Sequence, residues 1–451
     1  MRTPPKLRST AARTFSSLSI RNYRIYFAGQ SLSLVGTWMQ SIAQSWLVYT
    51  LTHSGVAVGG VVALQTLPIL LFGPVGGTIA DRFGKYRILF WTQSFAGLQA
   101  LVLALLVLAG HVHLWEIYTV ALALGIINMV DNPARQTFII EMVGREALPN
   151  AVTLNAVMVN VARAIGPAIA GVLIAVVGTG WCFAINAVSY LFVISALIAL
   201  DKSQLSPTDR VSHMRGQLLE GFRYVAHFPL LRTALIMMGI IGCLTYEFQV
   251  SLPLMAGDAF HGTSITYGLL TSFMGAGAVI GGLVIAGRRS RNPKFIVETA
   301  FVFGIAVLLG AVAPALWVEE LVLIGIGACS VAFMSLGNST LQLSSAPNMR
   351  GRVMSLWSVA FMGSSPIGAP IVGAMGNAFG ARASLGIGGA AALVAAAYGW
   401  FAFRKLPQDQ GPLQPGRVSP ITPESEVEGA LAGAVLEPLD GTPESSANSG
   451  E

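Results

Sequence analysis

The sequence predicts an all-α membrane protein with twelve transmembrane helices, and two observations carry that prediction. The first is a series of twelve apolar stretches of about the 20 residues that a helix needs to cross a hydrocarbon core of about 30 Å. The second is composition, since 54% of the 451 residues are hydrophobic and only 11% are charged, whereas about a quarter of a soluble protein is charged. A soluble globular fold is therefore excluded. The spans lie at roughly 22–50, 56–80, 88–109, 114–133, 151–177, 181–200, 233–256, 265–287, 294–314, 317–341, 353–376 and 383–403.

The basic residues alternate along the chain in a way that sets the orientation of the spans. Of the 27 Lys and Arg residues, all but Arg163 and Arg382 fall on one side of the predicted spans. Loops on the cytoplasmic side of a membrane keep an excess of positive charge. Both chain ends are therefore predicted to lie in the cytoplasm, with span 1 running outward.

One long polar segment, residues 201–232, divides the spans into two groups of six. The segment 213–228 within it has the spacing of an amphipathic helix, which either lies on the inner membrane surface or simply connects the two groups. The last residues are rich in Pro, Glu, Gly and Ser and cannot bury enough apolar surface to fold. The predicted units are a cytoplasmic amino-terminal segment at 1–21, a six-helix bundle at 22–200, a cytoplasmic linker at 201–232, a second six-helix bundle at 233–405 and a disordered cytoplasmic tail at 406–451.

Several classes of function are excluded by the composition and the residue spacing. The net charge of +6 resides in loops next to the membrane, without the interleaved aromatic residues of a nucleic-acid surface, so no nucleic-acid partner is expected. The sequence has neither a phosphate-binding glycine loop nor a metal-ligand spacing, and its three cysteines lie far apart. We therefore expect no enzymatic activity, no cofactor and no metal.

The loop between spans 2 and 3 carries the strongest local motif. Gly77 is expected to let another helix approach closely, Gly84 to permit a tight turn, and Asp81 to place a carboxylate at the edge of the bundle. The rule that inner loops are positive explains the basic residues here but not the glycines. The motif reads Gly77-Thr-Ile-Ala-Asp81-Arg82-Phe-Gly84-Lys85-Tyr-Arg87.

This loop resembles the signature of the major facilitator superfamily, Gly-x-x-x-Asp-Arg-x-Gly-(Arg/Lys). The resemblance implies two six-helix bundles around a central cavity, with Asp81 docked against span 11 and Lys85 in contact with an acid on span 4, assigned to Asp131. Spans 2 and 8, and spans 5 and 11, also align with one another as duplicated bundles do, although Gly-rich apolar sequence aligns by chance as well. The predicted gating residues are Gly77, Asp81, Arg82, Gly84, Lys85, Asp131 and Arg135.

Span 5 carries a second motif, Arg163-Ala-Ile-Gly166-Pro167-Ala-Ile-Ala-Gly171. Proline removes a backbone hydrogen bond and glycine removes side-chain bulk, so this span is expected to bend and to pack closely at the bundle interface. The motif resembles the Gly-Pro-rich helix of drug-and-proton antiporters, which implies export. Close packing alone also selects small residues.

Two charged residues, Arg163 and Glu247, lie deep in predicted spans. A charge at the bilayer centre costs at least about 2.5 kcal/mol, so it is expected to face a cavity, to pair or to change protonation. Glu247 is accordingly predicted to be the proton-coupling group. A fixed pair of Glu247 with Arg163 or with another polar residue, which holds the two bundles in register, explains the same burial.

Amide and aromatic side chains on the spans expected to line the path supply the candidate substrate site. They suit a large, polar and partly aromatic substrate. Each amide equally suits a hydrogen bond between helices, worth about 0.6 kcal/mol on average in membrane bundles. Together with Arg163, the predicted substrate-binding residues are Gln40, Gln44, Asn128, Tyr246, Gln249, Asn338 and Gln342.

Further segments resemble the enterobactin exporter branch of the superfamily, which also holds macrolide efflux proteins. The resemblance implies a monomer in the bacterial plasma membrane that exports a small amphipathic or siderophore-like molecule by proton antiport. Its partners are then the small-molecule substrate, protons and the lipid bilayer. The alternatives are uptake or lipid flipping by the same fold, and ligand sensing without transport. The segments lie at 131–136, 150–155, 163–171, 186–190 and 350–355.

Overall fold

A computed structural model describes residues 15–206, 217–286, 294–361 and 363–404, and the regular structure within these ranges is helical throughout. The predicted all-α fold class is confirmed. The predicted tail at 406–451 and the linker residues 207–216 lie outside the described residues. The helices are α1 (Arg21–Thr52), α2 (Gly55–Arg82), α3 (Lys85–Leu108), α4 (Leu114–Val177), α5 (Thr179–Ile198), α6 (Gln217–His227), α7 (Pro229–Leu244), α8 (Phe248–Leu254), α9 (Ser264–Ala286), α10 (Lys294–Ala311), α11 (Leu316–Ser344), α12 (Arg350–Phe361), α13 (Ser365–Phe379) and α14 (Ala381–Arg404).

Ten helical stretches of the described chain are long and apolar enough to cross a membrane. One of them, α4, has 64 residues, which at 1.5 Å per residue is about 96 Å and three times the hydrocarbon thickness. It therefore has the length for two crossings. The helix α1 falls outside the ten because glutamines and serines interrupt its apolar residues. With both arms of α4 and with α1, the described helices are consistent with the twelve predicted crossings.

The two arms of α4 meet at Gly144, where the backbone leaves the helical conformation with φ 71° and ψ 177°. This region of backbone space is open almost only to glycine, because a Cβ would clash with the chain. We expected a loop between spans 4 and 5, but α4 continues as helix on both sides of this residue. Gly144 thus replaces a loop as the point where the chain turns back.

Predicted span 7 is interrupted, because α7 ends at Leu244 and α8 begins at Phe248. The hydroxyl of Thr245, in the gap, donates a 2.7 Å hydrogen bond to the carbonyl oxygen of Gly388 on α14. A wide π-helical turn, Met255–Ala259, follows α8. Glu247 therefore lies at a break in the helix, where side chains and backbone are positioned by neighbouring helices.

Part of the linker forms the predicted helix, α6 (Gln217–His227). Val225 is buried, whereas Leu219 and Phe222 are 57% and 64% exposed. The hydroxyl oxygen of Tyr224 accepts a 3.1 Å hydrogen bond from the backbone N–H of Ala346, and Glu220 pairs with Arg352. These contacts hold α6 against the end of the carboxyl-terminal half.

The halves of the molecule, α1 to α5 and α7 to α14, touch through bare backbone at one end. We call the end at which α1 begins the inner end, which the charge pattern assigns to the cytoplasm, and the opposite end the outer end. Near the outer end, a Cβ on Gly55 would lie 2.7 Å from the carbonyl oxygen of Gly373. A Cβ on Gly171 would lie 3.1 Å from the Cα of Gly268. Only residues without a side chain allow helices to approach so closely.

Toward the inner end the halves diverge. Around Gly73 and Gly77, in the inner half of α2, no atom lies within 4 Å of the place that a Cβ would take. Large apolar side chains near the inner end of α2 and of the second arm of α4 have more than half of their surface exposed, among them Leu71, Phe72, Val75 and Val152. The space between the halves is therefore closed at the outer end and open at the inner end.

We predict that Gly144→Ala lowers the thermal stability of the folded protein. An alanine must either adopt the strained backbone, at a cost of about 1–3 kcal/mol, or straighten the turn between the two arms of α4. The measurement is the midpoint of thermal unfolding in detergent. Gly351→Ala is the matched control, since Gly351 is helical and has free space around it. An equal midpoint for both variants would remove Gly144 from its role as the turning point.

Candidate functional site

The signature loop connects α2 to α3, and within it Lys85 forms a defined ion pair. Its ammonium group lies 2.7 Å from Oε1 of Glu141, and both side chains are about nine-tenths buried. The assignment of Asp131 as the partner of Lys85 is wrong. Both acids lie on α4, but Asp131 is ten residues, or about 15 Å, farther from the inner end, and Lys85 at the start of α3 reaches the nearer one.

The glycines of the loop differ from their predicted roles in this conformation. Among the described residues, no atom of another helix lies within 4 Å of the place that a Cβ on Gly77 would take. Gly84 has φ −60° and ψ 125°, which any residue adopts, so the turn does not depend on glycine there. Arg82 is exposed. The side chain of Asp81 lies outside the described part of the structure, so its docking against span 11 stays a prediction.

Asp131 is instead the centre of a buried polar cluster within the amino-terminal half. It is 1% exposed, and its Oδ1 accepts hydrogen bonds of 2.6 Å from Thr92 and 2.8 Å from Gln93. Its Oδ2 accepts a 3.0 Å bond from Nε of Arg135, which lies one helical turn further along α4 and forms an ion pair with it. The carboxylate thus joins α3 to α4, and the gating role predicted for both residues stays a prediction.

Gln40, a predicted substrate-binding residue, belongs to a second buried network of hydrogen bonds. The Oε1 of Gln40 accepts a 2.6 Å hydrogen bond from Asn186, and its Nε2 donates one of 3.1 Å to Gln99. The hydroxyl of Ser189 in turn lies 3.0 Å from Oδ1 of Asn186. Gln40 is 3% exposed. These contacts favour the interpretation of Gln40 as a bond between helices α1, α3 and α5.

Gln44, one turn further along α1, has a hydrogen-bond partner for only one of its two side-chain polar atoms. Its Oε1 accepts a 3.1 Å hydrogen bond from Gln65, but its buried Nε2 has no partner in the described structure. Nearby on the same helix, the Trp46 ring stacks on Tyr267 of α9 with ring centres 6.0 Å apart. Gln44 therefore keeps a free donor close to where the halves meet.

Arg163 lies in the second arm of α4, and its guanidinium carbon stands 4.9 Å from the centre of the Trp38 ring. Its Nε is buried without a hydrogen-bond partner. The motif around it makes this contact possible, because a Cβ on Gly166 would lie 2.7 Å from the Trp38 side chain. Further along, the carbonyl oxygen of Gly171 accepts a 3.1 Å bond from Ser264 across the halves, and Pro167 packs against α9 at Gly268.

Glu247 is 4% exposed and lies in the gap between α7 and α8. One carboxyl oxygen is buried without a hydrogen-bond partner, and Ser365 at the start of α13 interacts with the group. Its backbone carbonyl accepts bonds from Val250 and Ser251. The described structure shows no ion pair between Glu247 and Arg163, and the alternative of a pair between Glu247 and a polar residue stays a prediction. Both instead retain buried polar atoms that a ligand or proton can use.

The remaining predicted substrate-binding residues are either hydrogen-bonded within the carboxyl-terminal half or half-buried. Tyr246 is held in the carboxyl-terminal half, where its hydroxyl donates a 2.6 Å hydrogen bond to the carbonyl of Ser330. Asn338 and Gln342 bond to each other one turn apart on α11. Asn128 and Gln249 are half-buried. The structure does not bring all these side chains to one site.

Sequence reasoning missed the polar contacts that close the outer end. The Tyr49 hydroxyl of α1 lies 2.5 Å from Oδ1 of Asp258 in the turn after α8. Asn377 of α13 donates a 2.9 Å bond to the Ser54 hydroxyl and accepts one of 2.6 Å from the Gly55 N–H. Tyr49 and Asn377 lie in the last turns of α1 and α13, Asp258 lies in the turn after α8, and none of them belongs to a motif. Only the position of polar residues at corresponding outer ends could have indicated them.

Comparisons with known proteins agree with the sequence and the fold. A family model described as transmembrane secretion effector matches residues 12–430. The staphyloferrin A transporter of Staphylococcus aureus is 26% identical over 391 residues, which is 85% of this chain and 96% of that protein. The enterobactin exporter EntS of Salmonella typhimurium is 25% identical over 372 residues, 81% of this chain and 88% of that protein.

Solved structures with the same fold include two transporters of low sequence identity. A bacterial homologue of the human lysosomal transporter Spinster, in an inward-facing and unoccupied conformation, superposes with a TM-score of 0.67 at 14% identity, over 85% of this chain and 96% of that one. The nucleoside transporter NupG gives 0.67 at 12% identity, over 86% and 100%. These two superpositions support the fold and carry no information on substrate.

We predict that Asp131→Asn destabilises the protein by about 3 kcal/mol, because it leaves Arg135, whose side chain is only 26% exposed, without its counter-charge. Adding Arg135→Gln to this variant should recover part of the loss, since the stranded charge is then gone. The readout is the thermal unfolding midpoint of each single variant and of the double variant. Glu146→Gln, an exposed acid on the same helix, serves as the control. Additive losses in the double variant would mean that the two residues act separately.

Proposed function

The chain belongs to the transmembrane secretion effector family of the major facilitator superfamily, and from this premise we propose that it exports an anionic, siderophore-like small molecule from the cytoplasm by proton antiport. Export accords with the family description and with the relative that is an enterobactin exporter. The siderophore class accords with two relatives whose substrates are staphyloferrin A and enterobactin. The opening at the inner end is the arrangement in which an exporter loads its substrate.

The proposed substrate class rests on Arg163, whose charge has no counter-charge among the described residues. Its charge lies mid-way along a membrane-crossing helix, where it costs at least about 2.5 kcal/mol. No carboxylate of the described structure neutralises it, and its Nε has no partner. A chelator of a hard metal ion presents anionic oxygen atoms, which a guanidinium binds with paired hydrogen bonds. The Trp38 ring under the guanidinium adds a flat surface for an aromatic part of the substrate.

Glu247 supplies the proton side of the proposed exchange. It is buried at a break in span 7, with one carboxyl oxygen unpartnered, so a proton can be bound there without breaking an existing ion pair. Its position in the carboxyl-terminal half and that of Arg163 in the amino-terminal half place the two charges on opposite sides of the proposed path. Glu247 then binds a proton and Arg163 releases the substrate as the protein alternates between the inner and the outer opening.

The direct test of export is a comparison of the small molecules released by cells with and without this protein. A molecule that is lost from the medium in the deletion strain is then supplied to inside-out membrane vesicles under a proton gradient. Accumulation in the vesicle lumen supports export by proton antiport. Accumulation only in right-side-out vesicles would establish uptake instead.

We predict that Arg163→Ala weakens the apparent affinity for the exported molecule about 10- to 100-fold, since a hydrogen bond to a charged group contributes about 1.5–3 kcal/mol. Direct binding to purified protein in detergent measures this loss. Arg145→Ala removes the same charge from an exposed position on the same helix and should leave affinity unchanged. If both variants bind as the parent does, Arg163 has no part in substrate recognition.

We also predict that Glu247→Gln separates exchange from accumulation. The amide has nearly the volume of the protonated acid but cannot release a proton, so substrate exchange should persist while accumulation driven by a proton gradient is lost. Both rates are measured in the same vesicles. Glu298→Gln, an exposed acid on α10, is the control. Gradient-driven accumulation at the parental level in Glu247→Gln would move proton coupling to another group.

A further inference from the structure

A second acid of the carboxyl-terminal half, Glu319, is buried more completely than Glu247. It lies in the first turn of α11, near the outer end, and is 0% exposed. Both of its carboxyl oxygens lack a hydrogen-bond partner. A Cβ on Gly310 of α10 would come within 3.1 and 3.2 Å of these two oxygens, so the neighbouring helix closes over the group. A buried carboxyl without a partner is far better tolerated neutral than charged.

Arg382, at the start of α14, lies beside the end of α10, because it bonds to Ala311, the residue that follows Gly310. Its Nη1 donates to the carbonyl oxygens of Ala311 at 3.1 Å and Ala313 at 2.7 Å. Its guanidinium carbon also lies 5.8 Å from the centre of the Phe260 ring. Arg382 is therefore held on backbone and ring while a potential counter-charge stands near it.

The other titratable groups on the helices packed against α11 lie elsewhere. Tyr267 is the titratable residue of α9. On α11 itself, Glu320 follows Glu319 and Cys329 lies further along the helix. The titratable groups of α10, α7 and α12 lie toward the inner end, except Cys243 on α7. In the outer turn after α8, Asp258 is bound to Tyr49 and His261 follows the turn. The inner groups are Lys294, Glu298, Arg232, Arg350 and Arg352.

Arg382 touches the same turn that closes the outer end. Phe260 ends the π-helical turn Met255–Ala259, and that turn carries Asp258, whose carboxylate binds Tyr49 of the other half. Gly257 of this turn lies so close to the Tyr49 hydroxyl that no side chain would fit. The guanidinium of Arg382 thus supports, through Phe260, the segment on which the Tyr49 contact depends.

We propose that Arg382 is a positioning residue of the outer closure and that Glu319 releases it when it loses a proton. With Glu319 neutral, Arg382 stays on the Ala311 and Ala313 carbonyls and on Phe260, and the outer end is closed. With Glu319 ionised, the carboxylate draws the guanidinium away from these contacts, the turn loses its support and the outer end opens. The proton passes to the outer solution and returns from it, so this step is separate from the coupling proposed for Glu247. It relies on the proposed transport cycle only for the alternation of openings.

The test uses the distance between spin labels at Trp115 on α4 and Phe379 on α13, two exposed positions at the outer ends of different halves. The three cysteines are replaced, and the protein is studied in lipid nanodiscs without substrate, from about pH 5 to about pH 9, a range in which buried carboxyl groups titrate. In the parent, the distance should lengthen as the pH rises. In Glu319→Gln the short distance should persist at every pH, and in Arg382→Gln the long distance should dominate at every pH.

These opposite outcomes distinguish release of Arg382 from general damage, which would shift both variants alike. Glu320→Gln changes the neighbouring acid and should keep the parental response. Glu247→Gln should keep it as well, so that failure of the proton-antiport proposal is seen separately in the vesicle assay. A parental pH response in Glu319→Gln, or a shift of both variants in the same direction, would overturn the proposal.

Discussion

The interior of a bilayer offers no water to polar groups, and this constraint decides how each polar side chain of the molecule is used. A group must find a partner within the protein, face a cavity or become neutral. In the amino-terminal half, Asp131 and Gln40 have found theirs, in networks that join α1, α3, α4 and α5. In the carboxyl-terminal half, Glu247 and Glu319 retain carboxyl oxygens without partners. The amino-terminal half thus contains two hydrogen-bonded polar networks together with the unpartnered atoms of Gln44 and Arg163, whereas the carboxyl-terminal half contains the two buried acids that protons can change.

Interruptions in the helices place the functional groups. A continuous span 7 would satisfy its backbone internally, but the break before Phe248 brings Glu247 into the interior and lets Thr245 bond to α14. Gly144 allows one long helix to supply both the Asp131 cluster and the Arg163 stack. Irregular backbone in a membrane protein is tolerated where it is buried within the protein, and at this break the backbone carbonyl of Glu247 accepts hydrogen bonds from the N–H groups of Val250 and Ser251 in the same span.

Hydropathy and charge pattern predict the helical spans well, because the bilayer imposes a single length and a single polarity on each of them. Which side chains pair between helices is less predictable, since pairing depends on the depth of each residue in the membrane and on the rotation of each helix about its axis. Lys85 binds Glu141 because the two residues lie at the same depth in the membrane, and the sequence contains no direct measure of depth. Arg163 and Glu247 were both recognised as deep, yet they do not pair. Glu319 was missed because a second acid follows it near the end of a span, a pattern typical of the membrane surface.

The contact of Gly55 with Gly373 has a mechanical consequence. Two backbones that meet without side chains have no rotamers to rearrange, so the contact can roll while its separation stays fixed. Such a contact acts as a fulcrum. Because it lies close to the outer end, the arms of the lever are unequal, and a small rotation about it displaces the inner ends of α2 and α13 far more than the outer ends. A bulky residue at either glycine would push the two backbones apart at this contact, and the halves would then separate near the outer end as well.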